Sequence, residues 1–287
     1  MVAINTGLAG KVYPSTSYHV TARAIRAFAA ATNETNPIFG GDTPLAPPLF
    51  AVVPAHPLVG LALSDEDLGI NLDRVVMRRA DHHFHAPIGP GDTLHVEGCL
   101  ETVEAGESGE TFTIAARLTN HHGVLAAELR SVMFVRGSGP RARGPGSAGD
   151  FSPPAGSGYA FATAQVVDPD QPYRYAESSG ERHPAHTDPE FARKVAGLPG
   201  VTLQGTCTLA FASRAVVDAV ADGDPGRLRR LSASFSKPVL PGDTITTRGW
   251  ILSSGAGAIV CGFETLNSRG SSVLLDGVAE LSGGLSS

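Results

Sequence analysis

The sequence predicts an α+β chain made of two tandem repeats, each an antiparallel sheet wrapped around one central helix. Three observations predict it. Phe28 to Phe39 aligns with Tyr175 to His186 at a constant offset of 147, so that Glu34 falls on Glu181, Asn36 on His183, Pro37 on Pro184 and Phe39 on His186. Phe84 to Thr93 aligns with Phe235 to Thr244 at an offset of 151, in the same order along the chain. Each half also runs from a short helix and loop into an apolar segment, then into several β-rich runs parted by turn residues. Two matching registers that differ by a four-residue insertion mark a tandem duplication.

A chain of 287 residues is long enough for two such units, each with its own core. The boundaries expected are an N-terminal unit over 1–136, a linker over 137–159 and a C-terminal unit over 160–287. In the first unit Arg74–Phe84, Thr93–Val103, Glu110–Leu118 and Val124–Val135 read as strands. Pro54 and Pro57 fall where its central helix should run, so that helix is expected to be shortened or kinked. The linker, Gly137 to Tyr159, is rich in Gly, Pro, Ser, Arg and Ala and almost free of large apolar residues. Such a segment is expected to lie over the surface, partly disordered.

In the second unit a helical run from Tyr173 stops at Gly180, and Pro184 forbids its continuation. A new helix is announced by Asp188 as cap, Pro189 in the first turn and Glu190 at the N-terminus, with Gly197 to end it. Leu203 to Val220 is the apolar segment, with Leu203, Cys207, Phe211, Ala215 and Val216 at helical spacing. Leu231–Phe235, Asp243–Leu252, Ala258–Thr265 and Ser272–Leu281 follow as strands.

Composition excludes several functions. Net charge is −6 and no basic stripe is interleaved with aromatics, which argues against nucleic acid as a partner. No run of eighteen apolar residues exists, so no membrane-spanning helix is expected. Met1 to Tyr18 lacks an apolar h-region, and a cytoplasmic protein is expected. Cys99, Cys207 and Cys261 are odd in number, far apart and without metal spacing, and they read as reduced core thiols. His82, His83 and His85 lie on a predicted strand without the acids or thiols of a metal site nearby, and read as surface or pocket histidines. Arg227, Arg229 and Arg230 form a basic turn, either simply solvated or set against a phosphate.

The chemistry is concentrated in Glu181 to His186. Five residues apart, Glu181 and His186 would splay around a regular helix, but on an irregular loop they can converge on one substrate. An acid and a histidine on a rigid loop suit proton transfer near neutral pH. Only the second half has this pair. Phe39 stands where His186 should be repeated, and eight of the ten histidines lie outside this half.

Tyr175, Ala176, Ser179, Gly180, Pro184, His186 and Asp188 together resemble the hydratase motif of the MaoC-like (R)-specific enoyl-CoA hydratases, the hydratase 2 group of hotdog proteins. Two repeats in one chain resemble the double-hotdog branch of that family. Three positions depart from its motif: Glu181 stands for an aspartate, His183 for an asparagine and Gln204 for a histidine before Gly205. The resemblance implies (R)-specific hydration of 2-enoyl thioesters, or the reverse dehydration of 3-hydroxyacyl thioesters, carried by CoA or an acyl-carrier protein. Glu181 and His186 would be catalytic. His183 and Gln204 would orient them, and backbone N–H groups near Gln204, Gly205 and Thr206 would meet the thioester oxygen. The first half would shape an acyl pocket. No metal or redox cofactor is implied. A homodimer is allowed rather than required, because two hotdogs in one chain supply the pairing that single ones obtain by dimerising. The three departures leave another reading open, a homologue in a polyketide-like pathway that cyclises or isomerises an acyl group or only binds it. A thioesterase ranks last, since His186 would then have no role.

Overall fold

A computed structural model describes residues 4–106, 109–136 and 158–283. The first half contributes β1 (Val12–His19), α1 (Ala22–Ala31), α2 (Val52–Leu63), β2 (Val75–Phe84), β3 (Thr93–Gly106), β4 (Gly109–Asn120) and β5 (Leu125–Val135). The second contributes β6 (Phe161–Val166), α3 (Gln171–Ser179), α4 (Pro184–Thr187), α5 (Pro189–Lys194), α6 (Gly205–Val220), β7 (Leu228–Phe235), β8 (Thr244–Gly255), β9 (Ala258–Leu266) and β10 (Ser272–Ser282). The ten strands form one sheet in the order β1-β3-β4-β5-β2-β7-β10-β9-β8-β6. Read from either edge to the middle, the order is the same, so a pseudo-twofold axis passes between β2 and β7. This is a double hotdog, with α2 and α6 as its two central helices.

The seam between the halves is an antiparallel pair. Ala80 faces Ala233 and His82 faces Leu231 across it. Arg230 makes a bidentate pair with Asp81 at 2.8 Å for both contacts, and Arg79 donates to the hydroxyls of Ser232 and Ser234. Such planar, two-bond recognition fixes register as well as adding attraction. Beside the seam α1 packs on α3. Phe28 meets Tyr175 with ring centroids 5.7 Å apart, so two residues related by the 147-residue offset touch across the axis.

The strands at the two outer edges, β1 and β6, were not among the strands expected from the sequence. β1 carries Pro14 followed by Ser15, Thr16 and Ser17 and buries only Tyr13, so no apolar alternation marks it. An edge strand tolerates this, because proline cannot donate to a ladder and one side has no neighbour. The expected shortening of the first central helix is present: α2 has 12 residues against 16 in α6. A 3₁₀ turn, Pro48–Ala51, takes the place of its first turn. Pro54 falls in the first turn of α2, where an N–H would be unpaired anyway, whereas Pro57 removes one interior bond. α6 is surrounded, burying residues on every face from Thr206 to Val220. Among the described residues no helix is long and apolar enough to cross a membrane. The expected linker lies outside the described residues up to position 157.

Candidate active site

The loop between α3 and α4 is built to stop a helix and turn sharply. Ser179 ends α3 with its hydroxyl donating to the Tyr175 carbonyl at 2.7 Å and accepting from the Glu181 N–H at 3.2 Å. Gly180 follows at φ +83°, a left-handed conformation that costs an L-residue energy. A Cβ there would also lie 3.3 Å from the ring of His56, which reaches over from α2 in the other half. Asp188 then caps α5, accepting from the N–H groups of Glu190 and Phe191.

These turns bring Glu181 and His186 together. His186 Nε2 lies 3.7 Å from Glu181 Oε1, and both side chains keep some exposure, 17% and 27%. His186 Nδ1 is 2.8 Å from the Thr202 carbonyl oxygen, which can only accept. The Nδ1 atom therefore carries a proton, and Nε2 is the ring nitrogen turned toward Glu181. The other carboxylate oxygen, Oε2, accepts from Thr206 Oγ1 at 3.0 Å. Thr206 in turn accepts from the Tyr175 hydroxyl at 2.9 Å. Tyr175 is wholly buried, and burial raises its pKa well above the ordinary phenol value, so it stays a donor. A chain of directed bonds thus runs from Tyr175 through Thr206 to one edge of Glu181, leaving the other edge to His186.

Glu181 and Thr206 are in contact, as are Glu181 and His186. Gln204 and His183, expected to orient the pair, make their hydrogen bonds to backbone groups and not to the Glu181 carboxylate. Gln204 is fully buried, and its amide donates to the carbonyls of Pro172 at 2.9 Å and Glu181 at 3.3 Å. It holds the backbone of the loop and not the carboxylate. His183 is exposed; its Nδ1 accepts the Ala185 N–H at 3.2 Å and its ring packs edge-on against Phe191. It caps α4, its carbonyl accepts the His186 N–H at 2.9 Å, and its ring lies edge-on to that of His186 with centroids 6.1 Å apart. Among the described residues its imidazole makes no hydrogen bond to either side chain of the pair. Gly205 opens α6, and a Cβ there would meet the Phe235 ring at 3.1 Å. The first-turn N–H groups of Gly205 and Thr206 have no acceptor within the helix, and they sit at its positive end.

Sequence reading did not single out Tyr175, Thr202 or His56 as functional. Tyr175 was visible as a motif position, but its bond to Thr206 joins residues 31 apart. Thr202 and His56 carried no signal, because one acts through a backbone carbonyl and the other comes from the opposite half.

The pair opens onto a cavity of about 930 Å³. It is lined by the Ser179–His186 loop and the start of α6, and also by α2 and the sheet of the first half, where Val59, Leu63, Ile114, Leu129 and Met133 border it. The matching place in the first half is closed. Only about 10 Å³ remains beside Glu34, Phe39 and Arg214, room for one water at most. There burial raises the Glu34 carboxyl to about 8, against the opposing effect of Arg214. The duplication has left one open site and one filled one.

Comparison with known proteins places the same features in context. A family model described as a MaoC-like domain matches residues 150–265, and one described as the FAS1-like dehydratase domain region matches residues 8–129. The chain is 31% identical over 205 residues to 3-hydroxyacyl-thioester dehydratase Y of Mycobacterium tuberculosis, a match covering 69% of each chain. It is 34% identical over 138 residues to peroxisomal enoyl-CoA hydratase 2 of Arabidopsis thaliana, covering 45% of this chain. That match spans 44% of the plant enzyme's length, less than half. A MaoC-like dehydratase structure from Phytophthora capsici superposes with a TM-score of 0.78 at 22% identity, covering 98% of both chains.

Proposed function

Because the chain belongs to the MaoC-like dehydratase family, we propose that it is a hydro-lyase adding water to 2-enoyl thioesters to give (R)-3-hydroxyacyl thioesters, or running the reverse dehydration. The observation that carries this reading is the approach of His186 Nε2 to Glu181 Oε1, 3.7 Å apart in the wall of a cavity of about 930 Å³.

In the hydration direction the Glu181 carboxylate takes a proton from a water held between the two side chains. The oxygen of that water bonds to C3 while the C2–C3 π electrons move toward the thioester. Protonated His186 delivers its Nε2 proton to C2. Glu181 then holds one proton and His186 has lost one, and transfer across the short gap resets the pair. Dehydration is the reverse, with His186 Nε2 as base at C2 and Glu181 as acid to the leaving hydroxyl. Negative charge gathering on the thioester oxygen meets the first-turn N–H groups of Gly205 and Thr206, where donors are already aimed and need no reorganisation. Thr206 holds Glu181 Oε2 so that Oε1 faces the water.

The departures from the family motif bear on the alternative of a changed chemistry. Two of the three, His183 and Gln204, direct their side-chain hydrogen bonds to backbone groups of the loop and its neighbours, and His183 adds an edge-on ring contact to His186. The third, Glu181, keeps the carboxyl function, with Thr206 positioned to hold its longer side chain. These contacts favour hydration over cyclisation, isomerisation or mere binding. A division into a pocket-forming unit over 1–136 and a catalytic unit over 160–287 belongs to this reading, as do a cytoplasmic location and a carrier that is either CoA or an acyl-carrier protein. The self-pairing of the two halves makes a homodimer optional.

The test is purified protein with crotonyl-CoA and a longer 2-enoyl-CoA, following loss of the conjugated thioester absorbance and the configuration of the product. Formation of the (R)-alcohol by the wild type and its loss in His186→Ala support the reading. A rearranged isomer or a free acid as product would replace it. Assaying the same acyl group on CoA and on a carrier protein separates the two carriers.

A further inference from the structure

His82 is the observation left unexplained by that function. It is a surface or pocket histidine on sequence grounds, yet it is 1% exposed, on the inward face of β2. Neither ring nitrogen has a hydrogen-bond partner of normal geometry. The ring borders the cavity shared with Glu181 and His186. A buried polar group without a partner costs free energy, and its persistence calls for an explanation.

The sheet register shows what lies beside it. Ala80 faces Ser131 and His82 faces Leu129 across β2 and β5; Ile114 and Ala116 face the same two β5 residues from β4. Directly opposed residues of antiparallel strands project to one side, so His82, Ser131, Leu129, Ile114 and Ala116 form one patch of cavity floor. Ser131 also borders the cavity and is only half-buried, and its hydroxyl makes no hydrogen bond to another described residue. An imidazole and a hydroxyl therefore stand together in a wall that is otherwise aliphatic. Burial lowers the His82 pKa to about 4 against the opposing effect of the Asp81 backbone and carboxylate, so the ring is neutral. A neutral imidazole offers one N–H donor and one lone pair, and a hydroxyl can meet either.

We propose that His82, with Ser131, is a specificity site for an acyl thioester that carries a hydroxyl group on its chain, remote from the reacting C2 and C3 carbons. The proposal rests on the reading of the cavity as the acyl pocket. The acyl chain lies in the first half, its apolar length against Leu129, Ile114 and Ala116. A small ring rotation turns a nitrogen of His82 toward the chain oxygen, and Ser131 completes the pair of bonds. An unsubstituted chain leaves both groups unpaired, which is how a polar site rejects an analogue lacking its partner.

The experiment is calorimetric titration with saturated acyl-CoAs, which cannot undergo the hydration reaction. One series is unsubstituted; the other has a hydroxyl at successive carbons from mid-chain outward. One hydroxyl position is expected to bind about 10-fold tighter than the unsubstituted chain of equal length, the scale of one buried hydrogen bond. His82→Leu, of similar volume, is expected to abolish that preference, and His82→Asn to keep part of it, with near-ultraviolet circular dichroism establishing that both are folded. A flat wild-type series, or a preference that survives in His82→Leu, overturns the inference. Crotonyl-CoA hydration by the wild type is measured on the same preparation. Its absence would count against the proposed reaction and leave the titration readable, whereas a flat titration with active hydration would count against the hydroxyl site alone.

Discussion

His186 Nδ1 and the Thr202 carbonyl oxygen are 2.8 Å apart, and this single contact assigns the histidine its tautomer. A carbonyl can only accept, so Nδ1 holds a proton and Nε2 is the atom free to exchange one with substrate. His186→Ala is expected to lower kcat on the order of 1,000-fold, within the range for loss of a general acid–base group. His186→Gln, which can keep a bond to Thr202 but cannot cycle a proton, should be no better. Recovery of near-wild-type turnover by the glutamine variant would remove His186 from proton transfer.

Thr206 bridges Tyr175 and Glu181, so its hydroxyl positions the carboxylate. Thr206→Val keeps the shape and removes the bond. Since a hydrogen bond to a charged group contributes about 1.5–3 kcal/mol, kcat should fall roughly 10- to 100-fold with KM little changed. Tyr175→Phe should cost less, and the double variant should resemble Thr206→Val alone, because the tyrosine acts through the threonine. Additive losses in that cycle would show that the two act separately.

Glu181→Asp restores the residue usual in the family motif, yet it is expected to lose activity. The side chain shortens by one methylene, which draws the carboxylate away from both Thr206 Oγ1 and His186 Nε2. A misplacement of about 1 Å can cost on the order of 100-fold in rate. Initial rates on a 2-enoyl-CoA decide it: an aspartate variant faster than the wild type would mean that the loop is not fitted to glutamate.

Gly180 is at φ +83° with the His56 ring 3.3 Å from where a Cβ would stand. Gly180→Ala pays for left-handed backbone and for that contact, together about 2 kcal/mol. The midpoint of denaturant unfolding should move down accordingly, with activity falling as His56 or the loop shifts. Gly180→Ala combined with His56→Ala should recover the steric part and leave the backbone part.

Glu34, the counterpart of Glu181 in the closed site, is held protonated by burial, with a carboxyl raised to about 8 from 4.5. The folded state thus binds more protons than the unfolded chain between those two values. Its contribution is present below the unfolded value and is lost as pH rises toward about 8. The loss is on the order of a few kcal/mol, and Glu34→Gln should remove it, flattening stability against pH across that window. Parallel stability curves for wild type and Glu34→Gln would contradict a neutral buried Glu34.

The sequence by itself determined the duplication, the order of helices and strands within each half, and the pairing of Glu181 with His186. Those features are written in local signals: apolar periodicity in Leu203–Val220, Asp188 and Pro189 at a helix start, and two matching registers across the halves. Phe84 and Phe235 do end their strands, and Thr93 and Thr244 do begin the next, as the 151-residue offset requires. Only the tertiary structure decided what surrounds the pair. Thr206, not Gln204 or His183, holds the Glu181 side chain, because α6 presents one face of its first turn to a loop 25 residues earlier. Edge strands β1 and β6 escaped notice because a strand with one neighbour and little burial needs no apolar pattern. His82 is inside while its neighbour His83 faces the other way. Alternation alone cannot tell which of two adjacent histidines points inward; the register of β2 against β5 and β7, with its shift between Met77 and Arg79, sets that phase. Local chemistry is legible residue by residue, but which residues far apart in the chain meet depends on packing, and packing is a property of the whole sheet.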